Sequence, residues 1–254
     1  MALFESTPTL CGHRGSGRGV VGGRVENTLE SCLAAIEWGL RWLEIDCRLN
    51  ADGVLVARHD PRVEDSEGLQ AGRFVAELTS AETDALGIMR LEDMFEALPL
   101  EIGIDLEVKT ALEDALRPRE QTTGAGAADL AARARAAGRQ LLLTSFDASV
   151  LAIARERHPE LPIGLLTWTR FPLRKAIPAA VHLGCQVVAP QFASFPLPGT
   201  PAERMERELA HNIDVAHRAG LEVVAWCPKP PEEALLAEAG VDCIIVDDVL
   251  HRPR

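Results

Sequence analysis

The chain has 254 residues, 47% of them hydrophobic and 25% charged, a balance that excludes a disordered or fibrous protein. A net charge of −12 excludes nucleic acid as the main partner of the surface, though not a local cationic pocket for a small anion. No apolar run approaches the roughly 18 residues of a membrane span, Met1 to Pro8 lacks the basic start of a signal peptide, and the six cysteines form no CxxC pair; a cytoplasmic protein with reduced thiols and no stable membrane anchor is expected.

Short apolar runs alternate with helical stretches along the whole chain. Thr9 to His13 reads as a strand, and Asn27 to Trp38 as a helix with Leu29, Leu33 and Ile36 on one face and Gly39 just past its end. Trp42 to Cys47 is a second strand, and Val54 to Arg58 a short added one after the turn Asn50-Ala51-Asp52-Gly53. Residues 61–75 carry no period and are expected to be loop. Ala76 to Leu86 and Leu91 to Leu98 are expected as short helices.

Glu101 to Val108 alternates, with Ile102, Ile104, Leu106 and Val108 on one side and Gly103, Asp105, Glu107 and then Lys109 on the other. Four further strands are expected at Gln140 to Thr144, Ile163 to Thr167, Val187 to Ala189 and Glu222 to Trp226, and a last one at Cys243 to Val246. Between them lie expected helices at Ala127 to Ala137, Ser149 to Arg157, Leu173 to Leu183, Pro201 to Ala219 and Glu232 to Ala239. Alternation of this kind makes a parallel sheet with crossover helices, and eight such units in one chain of this length fit a single-domain (β/α)₈ TIM barrel over residues 1–254. A short insertion follows the second barrel strand. A doubly wound open sheet is the alternative fold.

In a barrel, reactive groups gather at the C-terminal ends of the strands. His13 and Arg14 follow the first strand, Glu44 and Asp46 lie in the second, His59 and Asp60 follow the added strand, and Glu107 and Lys109 end the third. Glu44 and Asp46 are two residues apart on one face of an apolar strand, so both can be ionised there only beside a compensating cation. A hard divalent ion, Mg²⁺ or Ca²⁺, is one such cation; an ion pair to Arg48 or Arg58 is the structural alternative. Glu107 can complete the carboxylate set. Lys109 either neutralises a substrate phosphate or merely pairs with Glu107. His13 and His59 are acid/base candidates because imidazole titrates near neutrality.

Gly17 to Gly22 matches GxGxxG, a dinucleotide fingerprint, but the helix begins too late for the third glycine to pack against it. A flexible loop over the site is the better expectation.

The strings His13-Arg14-Gly15, Glu26-Asn27-Thr28, Glu44-Ile45-Asp46, Asp52-Gly53 and His59-Asp60 together resemble the glycerophosphodiester phosphodiesterases. Leu106-Glu107-Val108-Lys109, Ser145-Phe146-Asp147, Trp226 and Gly240-Val241-Asp242 with Ile244, Ile245 and Asp247 extend the likeness over nearly the whole chain. The resemblance implies a (β/α)₈ barrel that releases glycerol 3-phosphate and an alcohol through a cyclic phosphate. It implies His13 and His59 as the acid/base pair, Glu44, Asp46 and Glu107 as ligands of the divalent metal, Arg14 and Lys109 on the phosphate, and Trp226 in the glycerol pocket. The chain departs from the family pattern at Val25, in residues 61–75, in the glycine-rich loop 15–23, and at Cys227-Pro228-Lys229, where Thr or Val and then Asn are more usual. A lysophospholipase D-like enzyme with a larger leaving group, and a barrel that binds without turnover, are the rival readings.

Overall fold

The structure is a computed structural model that describes residues 2–5, 8–63, 72–201 and 207–253. Eight strands run β1 (Thr9–Gly12), β2 (Trp42–Leu49), β3 (Gly103–Val108), β4 (Leu141–Ser145), β5 (Ile163–Thr167), β6 (Val187–Pro190), β7 (Glu222–Trp226) and β8 (Cys243–Val246). Each pairs in parallel with the next, and β1 pairs with both β2 and β8, so the sheet closes on itself. Closure rules out the open doubly wound sheet. Helices α1 (Leu29–Trp38), α2 (Ser80–Ala85), α3 (Leu91–Ala97), α4 (Thr123–Ala136), α5 (Ala148–Arg157), α6 (Leu173–His182), α7 (Leu209–Arg218) and α8 (Pro230–Glu238) alternate with the strands.

The period-2 alternation of the strands sorts the side chains. Leu43, Ile45, Cys47, Ile104, Leu106 and Val108 face outward into the layer between barrel and helices. Inward, Trp42, Leu142, Leu166, Val187, Val224 and Ile245 form an apolar filling. Phe4 packs on the Trp42 ring at 5.0 Å between centroids, and the Leu3 and Phe4 amides donate to the Glu222 carboxylate at the start of β7. That segment closes the N-terminal end of the barrel. Polar groups enter the interior chiefly on β2 and β3, one layer above this plug.

The ends of several elements follow from local chemistry that periodicity does not carry. α1 begins at Leu29 because Thr28 caps it, accepting from the Ser31 amide, while Asn27 sits at φ 56° and uses its side chain elsewhere. α4 begins four residues earlier than expected, at Thr123, since Thr122 caps it and Gly124 packs against Val150. A single helix over Ala76 to Leu86 is replaced by a 3₁₀ turn, Val75–Glu77, and α2, whose start Thr79 and Glu82 fix as a capping box. Within the expected loop 61–75, Arg62–Val63 pairs antiparallel with Arg73–Phe74; residues 64–71 lie outside the described residues. The long helix expected from Pro201 is α7, from Leu209, and residues 202–206 of that expectation lie outside the described residues. The added strand is Leu55–Ala57, antiparallel to the end of β2.

One buried cation ties the outer layer together. Arg139, 5% exposed, donates to the carbonyls of Phe95, Leu98 and Ile102, where α3 ends before β3, and to that of Pro99, which also accepts the Ile102 amide. Arg139→Ala removes the side-chain donor of the Phe95, Leu98 and Ile102 carbonyls and is expected to cost about 3 kcal/mol. Urea denaturation followed by circular dichroism measures it; an unchanged midpoint would show the carbonyls finding water instead.

Candidate active site

The register of β2 on β3 sets Glu44 beside Asp105 and Asp46 beside Glu107, so four carboxylates stand in two layers inside the barrel. Three of them, Glu44, Asp46 and Glu107, bring one oxygen each to within 4.8 Å of one another. Burial, then the charges of Asp46 and Glu107, push Glu44 well above the usual carboxylate range. Burial likewise raises Glu107. Burial opposes the charge on Asp46 too, but Lys109 and Arg14 outweigh it and hold Asp46 low. Asp105, level with Glu44 in the deeper pair, is pushed up to about 7 by burial and takes the hydroxyl of Thr144 at 2.6 Å.

Two cations share this negative field. The Lys109 ammonium pairs with Glu107 and lies 3.2 Å from Asp46. The expected intrastrand pair is therefore present, and it includes a second strand. Arg14 lies 3.3 Å from Asp46 through Nε and donates from Nη1 to Glu26 at 2.8 Å. Arg48 turns away, donating to the carbonyl of His59, so the alternative of a Glu44 or Asp46 pair with Arg48 does not hold.

The set fits a hard divalent cation. Glu44 Oε1 is buried and receives no hydrogen bond, and Asp46 Oδ1, also buried, has the Lys109 ammonium at 3.2 Å without hydrogen-bond alignment. Three oxygen donors converging in this way suit Mg²⁺ or Ca²⁺ better than a softer ion.

His13 and His59 both line a cavity of about 640 Å³ with Arg14, Glu44, Glu107, Lys109 and Trp226. All eight residues expected to act are thus at one place: seven line the cavity, and Asp46 lies against Arg14 and Lys109. His13 Nδ1 is 2.7 Å from Asp247 Oδ1, and Arg14 Nε donates to His13 Nε2 at 3.2 Å. These two contacts select one tautomer: the proton sits on Nδ1 and the lone pair on Nε2. His59 Nδ1 is 2.7 Å from Asp60 Oδ1, which leaves its Nε2 as the free ring nitrogen.

Several working residues escape a reading of motifs for roles. Asp247 anchors His13 from 234 residues away; burial opposes its charge, but the His13 hydrogen bond holds it at about 2. Its place in the family-like string after β8 signals it without giving it a role. Asn27 clamps Asp46 twice, donating from Nδ2 to Oδ2 at 2.8 Å and accepting the Asp46 amide on Oδ1 at 3.0 Å. Glu26 joins Arg14 to the amide of Gly19 at 2.5 Å. The flexible loop expected over residues 15–23 is therefore a pinned hairpin, Val20–Val21 against Arg24–Val25, with the Arg18 amide also donating to Asp247. Arg14, Asn27 and Cys227 all hold positive φ around the site, backbone strain of the kind that collects where side chains must be aimed.

The sequence profile of the glycerophosphoryl diester phosphodiesterase family matches residues 13–251, a span that begins on His13 and contains every group above. The chain belongs to this family. It is accordingly an enzyme, a phosphoric diester hydrolase of the glycerophosphodiester type. A protein of Silicibacter pomeroyi carrying the same family name is 26% identical, with a TM-score of 0.78 over 96% of this chain and 92% of that one. The glycerophosphodiester phosphodiesterase of Thermotoga maritima is 22% identical, with a TM-score of 0.71 over 96% of both chains. A phosphodiesterase of Oleispira antarctica, seen with its product sn-glycerol 3-phosphate, is 22% identical, with a TM-score of 0.74 over 95% and 94%. At those last identities the likeness is one of fold. A search of curated proteins finds no match. Among the described residues of this family member, no helix is long and apolar enough to cross a membrane.

Proposed function

We propose that the chain hydrolyses small glycerophosphodiesters to glycerol 3-phosphate and an alcohol, with a divalent ion, Mg²⁺ or Ca²⁺, held by Glu44, Asp46 and Glu107. The observation that carries this reading is the pair of imidazoles, each tied at Nδ1 by a carboxylate, on one cavity with that carboxylate cluster. When bound, the ion supplies Lewis-acid neutralisation of a phosphoryl oxygen. Arg14 and Lys109 add fixed positive charge where the phosphodiester sits.

His13 Nε2, kept free of a proton, takes the proton of the glycerol 2-hydroxyl as that oxygen attacks phosphorus. His59 delivers a proton to the departing alcohol. Burial lowers His59 below the ordinary imidazole range, which makes its protonated form the stronger acid. The cyclic phosphate is then opened by water with the two roles exchanged. Trp226, edge-on to Phe146, which stacks on Trp168, walls the glycerol side. Asn27 holds Asp46 and Glu26 holds Arg14, so little reorganisation is needed as charge develops.

Glycerophosphocholine with coupled detection of glycerol 3-phosphate tests the reaction. EDTA is expected to lower turnover by roughly 10²–10³-fold, the worth of several kcal/mol of charge stabilisation, with recovery on adding Mg²⁺ or Ca²⁺. Full activity in EDTA would remove the metal from the scheme. A larger, apolar leaving group has one observation in its favour: Leu112, 91% exposed, borders a second hollow that also contains Lys109 and Thr110. Turnover of a lysophospholipid exceeding that of glycerophosphocholine would select the lysophospholipase D-like reading. Binding of either compound with no glycerol 3-phosphate released would select the non-catalytic one.

A further inference from the structure

Behind His13, on the side away from the carboxylates, lies a second group of donors. Cys227 Sγ is 3.4 Å from His13 Nδ1, and Asp247 Oδ1 is 2.7 Å from the same nitrogen. The three ligand atoms all lie within 4.8 Å of one another, and all three residues line the cavity. The other five cysteines are buried; Cys227 alone is partly open. It stands where the sequence departs from the family's usual Thr or Val.

We propose that His13 Nδ1, Cys227 Sγ and Asp247 Oδ1 form an inhibitory site for Zn²⁺, separate from the oxygen-only cluster of Glu44, Asp46 and Glu107. One nitrogen, one sulfur and one carboxylate oxygen are the donor set of a borderline-soft ion, and three protein ligands leave a fourth tetrahedral position for water. Mg²⁺ and Ca²⁺ are poor competitors for a thiolate, so each cluster selects its own ion. Sγ is also 4.0 Å from Nε2, so it lies beside the imidazole; the Cys227 side chain rotates toward the Nδ1 lone-pair axis, and the His13–Asp247 pair opens, to admit the metal.

The proton count explains the inhibition. Zinc binding releases the Cys227 thiol proton to solvent, and the proton of neutral His13 moves from Nδ1 to Nε2 as Nδ1 becomes a ligand, which displaces the Arg14 Nε hydrogen bond from Nε2. Nε2 is the atom that takes the substrate proton in the proposed reaction. Carrying a hydrogen, it can no longer do so. The inhibition rests on that reading of His13, whereas metal binding does not.

The test uses Co²⁺ as a spectroscopic stand-in for Zn²⁺, with the full chain in saturating Mg²⁺. A thiolate-to-cobalt charge-transfer band is expected to saturate at one equivalent and to be bleached by Zn²⁺. Cys227→Ser is expected to lose the band, and its inhibition by Zn²⁺, taken relative to its own uninhibited rate, to need roughly 100-fold more metal. Cys227→Ala serves in the same way if the serine variant folds poorly. No band in the native chain, a band that survives in either variant, or equal zinc inhibition of native and variant proteins would overturn the site. If the protein hydrolyses no glycerophosphodiester at all, the cobalt band still decides the binding, so the two proposals fail separately.

Discussion

His13→Ala is expected to lower kcat on glycerophosphocholine by about 10²–10⁴-fold, the range for one positioned proton-transfer group. KM should move little, because the fixed positive charge on the phosphate comes from Arg14 and Lys109. His59→Ala should cost a similar factor through the other proton. The two differ in what restores them. A diester whose leaving alcohol is a phenol needs little protonation, so it should rescue His59→Ala and not His13→Ala in the first step. Product analysis separates the variants again: cyclic phosphate should accumulate where the histidine that activates water is missing. The double variant should be little worse than either single one if the pair acts as a unit. Near-normal turnover on glycerophosphocholine in either single variant would remove that histidine from the scheme.

The barrel was readable from order alone, since strand and helix alternate along the chain and each strand pairs with its sequence neighbour. The carboxylate face was readable for a similar reason. Glu44 and Asp46 share a face by strand geometry, and Glu107 needs only the pairing of β2 with β3 to join them. What periodicity cannot carry is contact between distant segments. His13 looks like a lone strand-end histidine until β8 brings Asp247 beside it. Asn27 reads as the first helical residue, yet its side chain is spent on Asp46 and its backbone is left-handed, so α1 starts later. Lys109 offered two readings, phosphate or ion pair, and the sequence could not choose because the second carboxylate, Asp46, comes from another strand. Cys227 carried no signal beyond its departure from the family pattern, since a thiol acquires meaning only from what stands beside it.

Asp247→Asn is expected to be more damaging than Asp247→Ala, although asparagine is the closer match in shape. In the native chain the carboxylate accepts from Nδ1–H of His13, which keeps the lone pair on Nε2. An asparagine can turn its amide N–H toward Nδ1 and hold the opposite tautomer, with the proton on Nε2, where it blocks the base. Alanine imposes neither tautomer. The corresponding aspartate-to-asparagine change in a serine protease triad costs about 10⁴ in kcat for this reason; with Arg14 Nε still favouring the lone pair on Nε2, roughly 10²–10³ is expected here, against about tenfold for alanine. Equal losses in the two variants would mean that Asp247 only fills space. The acid side of the native enzyme follows the same logic. The His13 hydrogen bond holds Asp247 at about 2, below its ordinary 3.8, so the stability it contributes is complete above about pH 4 and is lost only as pH falls through about 2. Across any working range Asp247 therefore stays ionised, so a loss of turnover on mild acidification does not report its protonation. If Asp247→Asn shifted the midpoint of unfolding more than it lowered kcat, the residue would be a brace for the β8 end of the barrel; the reverse ratio marks it as the group that sets which nitrogen of His13 is free to act.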